Sequence, residues 1–70
     1  MVQKGIYKHY KGHLYEVINR VRHSETLEYL ILYKALYGDY GLWVRPEAMF
    51  LETVVIDGVE HPRFEYQQPS

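Results

Sequence analysis

The sequence predicts a mainly β fold, namely a small and partly open SH3-like barrel of about five strands with one short helical turn. Three observations support this prediction. Apolar and polar residues alternate over short runs, turn residues separate these runs, and a proline precedes a four-residue helical pattern. The 70 residues suit a single domain, which we expect over residues 1–66, with residues 67–70 as a frayed tail.

The first two strands are predicted at residues 5–10 and 14–22. Both runs alternate with a period of two and are rich in residues that favour strands. Between them, Gly12 can supply the positive φ that a tight turn often requires. The two runs therefore predict a β-hairpin.

The next segment has two interpretations. As a helix over residues 25–37, it would have Ser24 as its N-cap and Gly38 as its stop signal. As a strand over residues 29–37, it would supply the further partner that a lone hairpin needs. Its Leu, Ala, Lys and Glu content favours the helix, whereas the neighbouring β segments favour the strand. We take the strand as the prediction and an α+β domain as the alternative.

Turn and breaker residues divide the rest of the chain. Pro46 ends one strand and suits the first position of a helical turn. Asp57-Gly58 is the strongest turn signal, and Pro62 is typical of an edge strand because it cannot donate a ladder hydrogen bond. We therefore expect a turn at residues 38–41, a strand at 42–45, a helical turn at 47–50, and strands at 51–56 and 59–66.

Composition restricts the possible functions. The chain has no cysteine, which excludes disulfides and thiolate metal sites and fits a reducing compartment. A net charge of −1 without a like-charge run argues against nucleic-acid binding driven by bulk charge. The apolar stretches are too short to cross a bilayer, and the first residues lack a signal core. We expect a cytoplasmic protein with no membrane partner and no cofactor.

Four stretches resemble one family. They are "GIYKHYKGHLYEV", "HSET", "LYGDYGLWVRPEAMF" and "RFEY". Over about residues 5–64 they look like the small bacterial proteins of domain-of-unknown-function family 1653. The resemblance implies a bacterial source and a compact stand-alone domain, and it supports the strand over residues 29–37. It implies no activity, cofactor or partner.

The candidate binding residues are three aromatic side chains and an arginine that flank the turn at residues 38–41: Tyr37, Tyr40, Trp43 and Arg45. Arg45 follows Trp43 on one face of a strand because strand side chains alternate. Such a surface can stack a base, a proline or a methylated cation. The alternative is that Trp43 and Tyr37 fill the core. We expect a non-catalytic binding or adaptor module, with a protein or peptide preferred over nucleic acid as its partner.

The secondary candidates are His23, Ser24 and Glu25 of "HSET", which would form the centre of a small hydrolase-like enzyme. A nucleophile needs its base at hydrogen-bond distance, and neighbours on an extended backbone point to opposite faces. We therefore favour a turn in which hydroxyl groups bind the backbone, and we expect no catalytic residue. A third hypothesis is a structural protein that self-associates through an edge strand near residues 54–64. We expect a monomer or a weak homodimer through such an edge strand.

The spacing of histidines does not predict a metal site. His9 and His13 are four residues apart, which would place them on one face of a helix. In a strand, residues at this spacing lie roughly 13 Å apart. A zinc site would also require a third protein ligand. We therefore expect no metal.

Overall fold

The computed structural model describes residues 2–70, which form seven strands and one short helix. In chain order these are β1 (Gly5–His9), β2 (Leu14–Arg22), β3 (Tyr29–Ala35), β4 (Leu42–Pro46), α1 (Glu47–Phe50), β5 (Thr53–Ile56), β6 (Val59–Pro62) and β7 (Phe64–Gln68). The mainly β prediction is confirmed, and the alternative helix over residues 25–37 is wrong because this segment contains β3. No helix among the described residues is long and apolar enough to cross a membrane.

Five of the strands form one antiparallel sheet in the order β4-β3-β2-β1-β7, and β5 and β6 form a separate two-stranded ribbon. Over residues 2–70 the strands do not close into a complete barrel. Each edge of the five-stranded sheet is therefore a strand with only one neighbour, and the two edges are β4 and β7.

Six strands were predicted individually and the structure has seven, because residues 59–66 contain two strands. The break lies at Arg63, whose N–H donates to the Glu52 carbonyl at 3.0 Å and whose carbonyl accepts from the Tyr10 N–H at 3.0 Å. These bonds tie the ribbon to β1, so the chain changes sheets at this residue. At its other end β7 continues to Gln68, which pairs with Ile6. Residues 67 and 68 therefore belong to the sheet and not to a frayed tail.

One face of the five-stranded sheet carries the core. Alternation along β2 and β3 directs the side chains of Val17, Ile31 and Tyr33 to this face, where they are buried. The core is completed from the other elements by a set of apolar and aromatic side chains: Val2, Tyr7, Phe50 and Phe64. The aromatic residues are thus the bulk of a core that a chain of this length needs.

The short helix α1 packs on the core and is hydrogen-bonded to the sheet. Phe50 stacks on Phe64 with ring centroids 4.2 Å apart and an interplanar angle of 3°. At the first turn, the Glu47 carboxylate accepts two hydrogen bonds from the Arg20 guanidinium, at 2.9 and 3.0 Å. These bonds hold the pKa of Glu47 below its usual value. The Arg20 guanidinium also lies 3.2 Å above the ring of Tyr29.

Candidate functional site

The edge strand β4 presents three consecutive apolar side chains to solvent. Leu42, Trp43 and Val44 are 63%, 59% and 56% exposed. β3 is the only neighbour of β4 in the sheet over residues 2–70. An edge strand offers unpaired backbone groups to which another chain can add. The combination of open backbone and exposed apolar side chains makes this edge the candidate functional site.

The backbone groups that face outward along β4 can be assigned. The Ala35 N–H donates to the Gly41 carbonyl at 3.0 Å, so the carbonyl of Gly41 points toward β3. Successive residues of a strand direct their N–H and C=O groups to opposite sides. Trp43 therefore directs its backbone groups to β3. Leu42 and Val44 direct theirs away from the sheet, where they are available to an added strand.

Tyr40 lies at the turn that precedes β4, and Trp43 is the second residue of β4. Tyr40 has a φ of 57° and is 53% exposed. A non-glycine residue in this left-handed region costs about 1–2 kcal/mol, and such strain clusters at binding sites. Gly41 has no side chain, and a Cβ there would lie 3.4 Å from Trp43 Nε1 and 3.3 Å from the Asp39 carboxylate. The glycine thus leaves room for the indole beside the turn.

The side chain of Tyr37 packs against Tyr15 of β2 and against His13. Its hydroxyl lies 2.7 Å from that of Tyr15, and its ring stacks on His13 with centroids 4.0 Å apart. Burial, followed by the hydrogen bond with Tyr37, raises the pKa of Tyr15 to about 12. Tyr37 therefore supports the turn while one side of its ring remains in solvent. Of the two aromatic residues considered for the core, Trp43 lies outside it and Tyr37 only borders it.

Arg45 lies on the same face of β4 as Trp43. The register pairs Trp43 with Tyr33 and Arg45 with Ile31, both of which face the core. Arg45 Nε lies 3.5 Å from the Tyr33 hydroxyl, and its guanidinium carbon lies 5.7 Å from the centroid of the Phe64 ring. The two residues thus extend the core face of the sheet to the open edge.

A family model described as "Protein of unknown function (DUF1653)" matches residues 5–66. The chain belongs to this family. It is similar to the crystal structure of a DUF1653 protein from Bordetella bronchiseptica, with 32% sequence identity, a TM-score of 0.89, and coverage of 99% of this chain and 91% of that chain. No curated protein matches the chain significantly. The resemblance expected from "HSET", "WVRP" and the flanking stretches is confirmed.

In this DUF1653 domain the "HSET" segment is a turn ordered by a histidine. His23 Nδ1 accepts hydrogen bonds from the backbone N–H groups of Glu25, at 3.1 Å, and Thr26, at 3.3 Å. The Leu27 N–H donates to the His23 carbonyl at 2.9 Å. Ser24 and Glu25 are exposed, and no hydrogen bond joins Ser24 to His23 among those of the described residues. The Nδ1 atom of His23 is thus engaged by the backbone of the turn.

A concave region lies at the β1–β7 side of the sheet. The ribbon of β5 and β6 and the β1–β7 pair border a cavity of about 350 Å³ that is open to solvent and is lined in part by His9, Tyr10, His61 and Glu65. Over residues 2–70, no three His, Cys, Asp or Glu side chains are close enough together to bind a metal ion. This cavity contains none of the four candidate binding residues.

Sequence reasoning did not select Leu42 and Val44. The available signal was the uncharged run "LWV" directly after a turn. The importance of this run depends on strand order, because an apolar strand within a sheet is buried whereas the same strand at an edge is open. In the DUF1653 fold, β4 is at the edge because the chain turns into α1 after Pro46 and adds no further strand beside it.

Proposed function

We propose that this DUF1653 domain is a non-catalytic binding module that accepts an extended peptide segment of a partner protein along the outer edge of β4. The observation that carries the proposal is the row of exposed apolar residues from Leu42 to Val44, with the backbone groups of Leu42 and Val44 directed outward. In strand addition of this kind, backbone hydrogen bonds supply affinity and alternating side chains supply specificity.

The residues around the edge support a peptide as the ligand. Trp43 and Tyr40 offer large, exposed ring surfaces, which bury much apolar area on contact. Tyr37 holds the turn that carries Tyr40. The net charge of −1 favours a peptide over nucleic acid, because phosphate binding depends on clustered positive charge. We further propose a bacterial cytoplasmic setting, which the absence of cysteine supports.

Self-association is the second candidate function. The ribbon of β5 and β6 has no further strand on either side in the described sheets, and its residues Val55 and Val59 are exposed. A second copy of the chain could pair with this ribbon or with β4 across a two-fold axis. The hypothesis predicts resonances that shift with protein concentration when no ligand is present.

The test is an amide chemical-shift titration of the ¹⁵N-labelled protein. The ligands are extended peptides of alternating apolar residues, proline-rich peptides and short single-stranded RNA. The proposal predicts that extended peptides shift the amides of Tyr40 to Val44 and that RNA does not. Shifts at His23 to Thr26 with a small molecule, or no peptide-dependent shift along β4, would contradict it. Dilution of the free protein separates binding from self-association.

A further inference from the structure

We infer that the peptide accepted by β4 carries an acidic side chain that pairs with Arg45, two residues from an aromatic residue or proline that packs on Trp43. This inference rests on the proposed function and specifies the ligand of the same site. It follows from the register of the edge, from the lack of an ion-pair partner for Arg45, and from the buried aromatic rings beside Arg45.

The register places two peptide side chains opposite Trp43 and Arg45. Because these residues direct their backbone groups to β3, the peptide residues opposite them in an antiparallel pair occupy non-hydrogen-bonded positions. At such positions the Cα atoms are about 4.5 Å apart, so the side chains are closest. The peptide N–H there needs no partner on β4, which makes proline acceptable opposite Trp43. The peptide residues between them face Leu42 and Val44 on the other side of the sheet.

Arg45 has no carboxylate of its own. Among the described residues the ion pair within 4 Å joins Arg20 to Glu47, and none includes Arg45. The two arginines lie in different settings: Arg20 is held by a carboxylate of α1, whereas the side chain of Arg45 donates a hydrogen bond to the Tyr33 hydroxyl, at 3.5 Å. A guanidinium carries five donors, so most of the donors of Arg45 remain for a ligand.

Arg45 adds positive charge to the core face of the sheet. Burial lowers the pKa of His9, and the positive charges of Arg63, Lys11 and Arg45 lower it further. A ligand that brings a carboxylate to Arg45 would offset part of this charge.

Two buried aromatic rings beside Arg45 strengthen the expected ion pair. Arg45 lies over Phe64 and beside Tyr33, both of which are buried. A carboxylate delivered to Arg45 would therefore lose water on one side, and attraction between charges grows as the local dielectric constant falls. An ion pair in full solvent is worth little, whereas a partly desolvated pair that closes an interface contributes to specificity.

The inference gives the order of residues in the ligand. For an antiparallel peptide the order from its N-terminus is an acidic residue opposite Arg45, an aliphatic residue opposite Val44, an aromatic residue or proline opposite Trp43, and an aliphatic residue opposite Leu42. A parallel peptide has the reverse order. "EVYL" and "LYVE" are therefore the two core sequences to be tested.

The test uses the fluorescence of Trp43, the only tryptophan of the chain, with excitation that avoids tyrosine. The probes are acetylated and amidated peptides that contain each core sequence, in versions with Glu, Gln or Lys at the acidic position. The inference predicts that the Glu peptide binds at least about fivefold more tightly than the Gln peptide, and the Lys peptide most weakly. Arg45→Glu should reverse this order and Arg45→Gln should remove it.

Lys4→Glu is the matched control, since it makes the same change in net charge at an exposed residue before β1. This variant should keep the preference for Glu. Equal affinity of the parent protein for the Glu, Gln and Lys peptides would overturn the acidic ligand while leaving the peptide-binding edge intact. Failure of every peptide to change the Trp43 signal would overturn the proposed function itself.

Discussion

The two edges of the five-stranded sheet, β4 and β7, differ in chemistry. β4 is apolar and exposed at three consecutive residues, 42–44. β7 begins with Phe64, which is only 7% exposed, and continues with Glu65, Tyr66 and two glutamines. Phe64 of β7 is therefore part of the core, whereas Trp43 of β4 faces solvent. An aromatic residue on an edge strand can fill the core or lie in solvent. Phe64 belongs to the core because it packs on Phe50 of α1.

The backbone of β7 is also protected against added strands. Gln67 Nε2 donates to the carbonyl groups of Glu65, at 3.1 Å, and Tyr66, at 3.4 Å. The pairing of β7 with β1 shifts register between Ile6 and Tyr7. Charged residues and bulges are means by which proteins prevent association at edges. Residues 42–44 of β4 have neither charge nor register shift, so β4 is the less protected of the two edges.

The largest expected difference between the edges is in stability. Phe64→Ala removes a buried ring that packs on Phe50, Tyr33 and Tyr15, and we expect it to cost about 3–5 kcal/mol of unfolding free energy. Trp43→Ala should cost less than about 1 kcal/mol, because Trp43 is exposed. A core position for Trp43 would instead have predicted the larger loss. Urea unfolding of both variants gives the comparison, and equal losses would contradict it.

The second prediction concerns the outward N–H of Val44. Val44→Pro removes this donor without affecting the ladder to β3, and Pro46 already occupies an outward position of the same strand. Peptide affinity should fall at least about tenfold in Kd, since backbone hydrogen bonds supply the affinity. Val44→Thr keeps the N–H and is the control. If both variants bind alike while remaining folded by circular dichroism, strand addition at this position is wrong.

A smaller effect is expected at Tyr40. Tyr40→Gly relieves the left-handed backbone at φ 57°, and stability should stay equal or rise by up to about 1 kcal/mol. Peptide binding should weaken because the exposed ring is lost. Tyr40→Phe keeps the ring and should bind like the parent protein. A loss of stability in Tyr40→Gly, seen in thermal melts, would show that the ring is needed for packing.

The smallest expected effect is the pH dependence of stability that arises from His9, which lies on β1 and pairs with β7. His9 packs edge-on against Phe64, and burial, with the nearby cations, lowers its pKa below 6.5. The folded protein therefore binds fewer protons at His9 than the unfolded chain does, and stability should fall as pH drops below 6.5. Thermal midpoints between about pH 7.5 and about pH 5.5 should show this fall. The range stays above the acid titration of Glu47.

His9→Gln should reduce this pH dependence. His61→Gln, at an exposed residue of β6, is the matched control and should leave the dependence unchanged. A pH dependence that persists in His9→Gln and disappears in His61→Gln would assign the effect to the ribbon instead of to the β1–β7 pair.

Alternation in the sequence was sufficient for most of the individual strands. The period of two in "GIYKH" and "LYEVINRVR" predicted β1 and β2, and the surrounding β segments correctly outweighed helix propensity over β3. Alternation also placed Trp43 and Arg45 on one face, as the register confirms. These are local properties, and local sequence determines them.

Properties that depend on distant contacts were not available from the sequence. The break at Arg63 arises from its hydrogen bonds to Glu52 and Tyr10, which lie in other parts of the chain. The exposure of Trp43 depends on the position of β4 at an edge and on the filling of the core by Tyr33, Phe50 and Phe64. A tryptophan in a chain of this size is commonly buried for packing. Residue type alone therefore favoured a core position for Trp43.

The most direct test of the open edge is amide hydrogen exchange, resolved by residue, with and without a bound peptide containing "EVYL". If the β4 edge is open, the amides of Leu42 and Val44 exchange quickly in the free protein and become protected on binding. The amide of Trp43, already bonded to β3, should be protected in both states. Protection that appears on β7, or no change at Leu42 and Val44 when the peptide is bound, would contradict strand addition at the β4 edge.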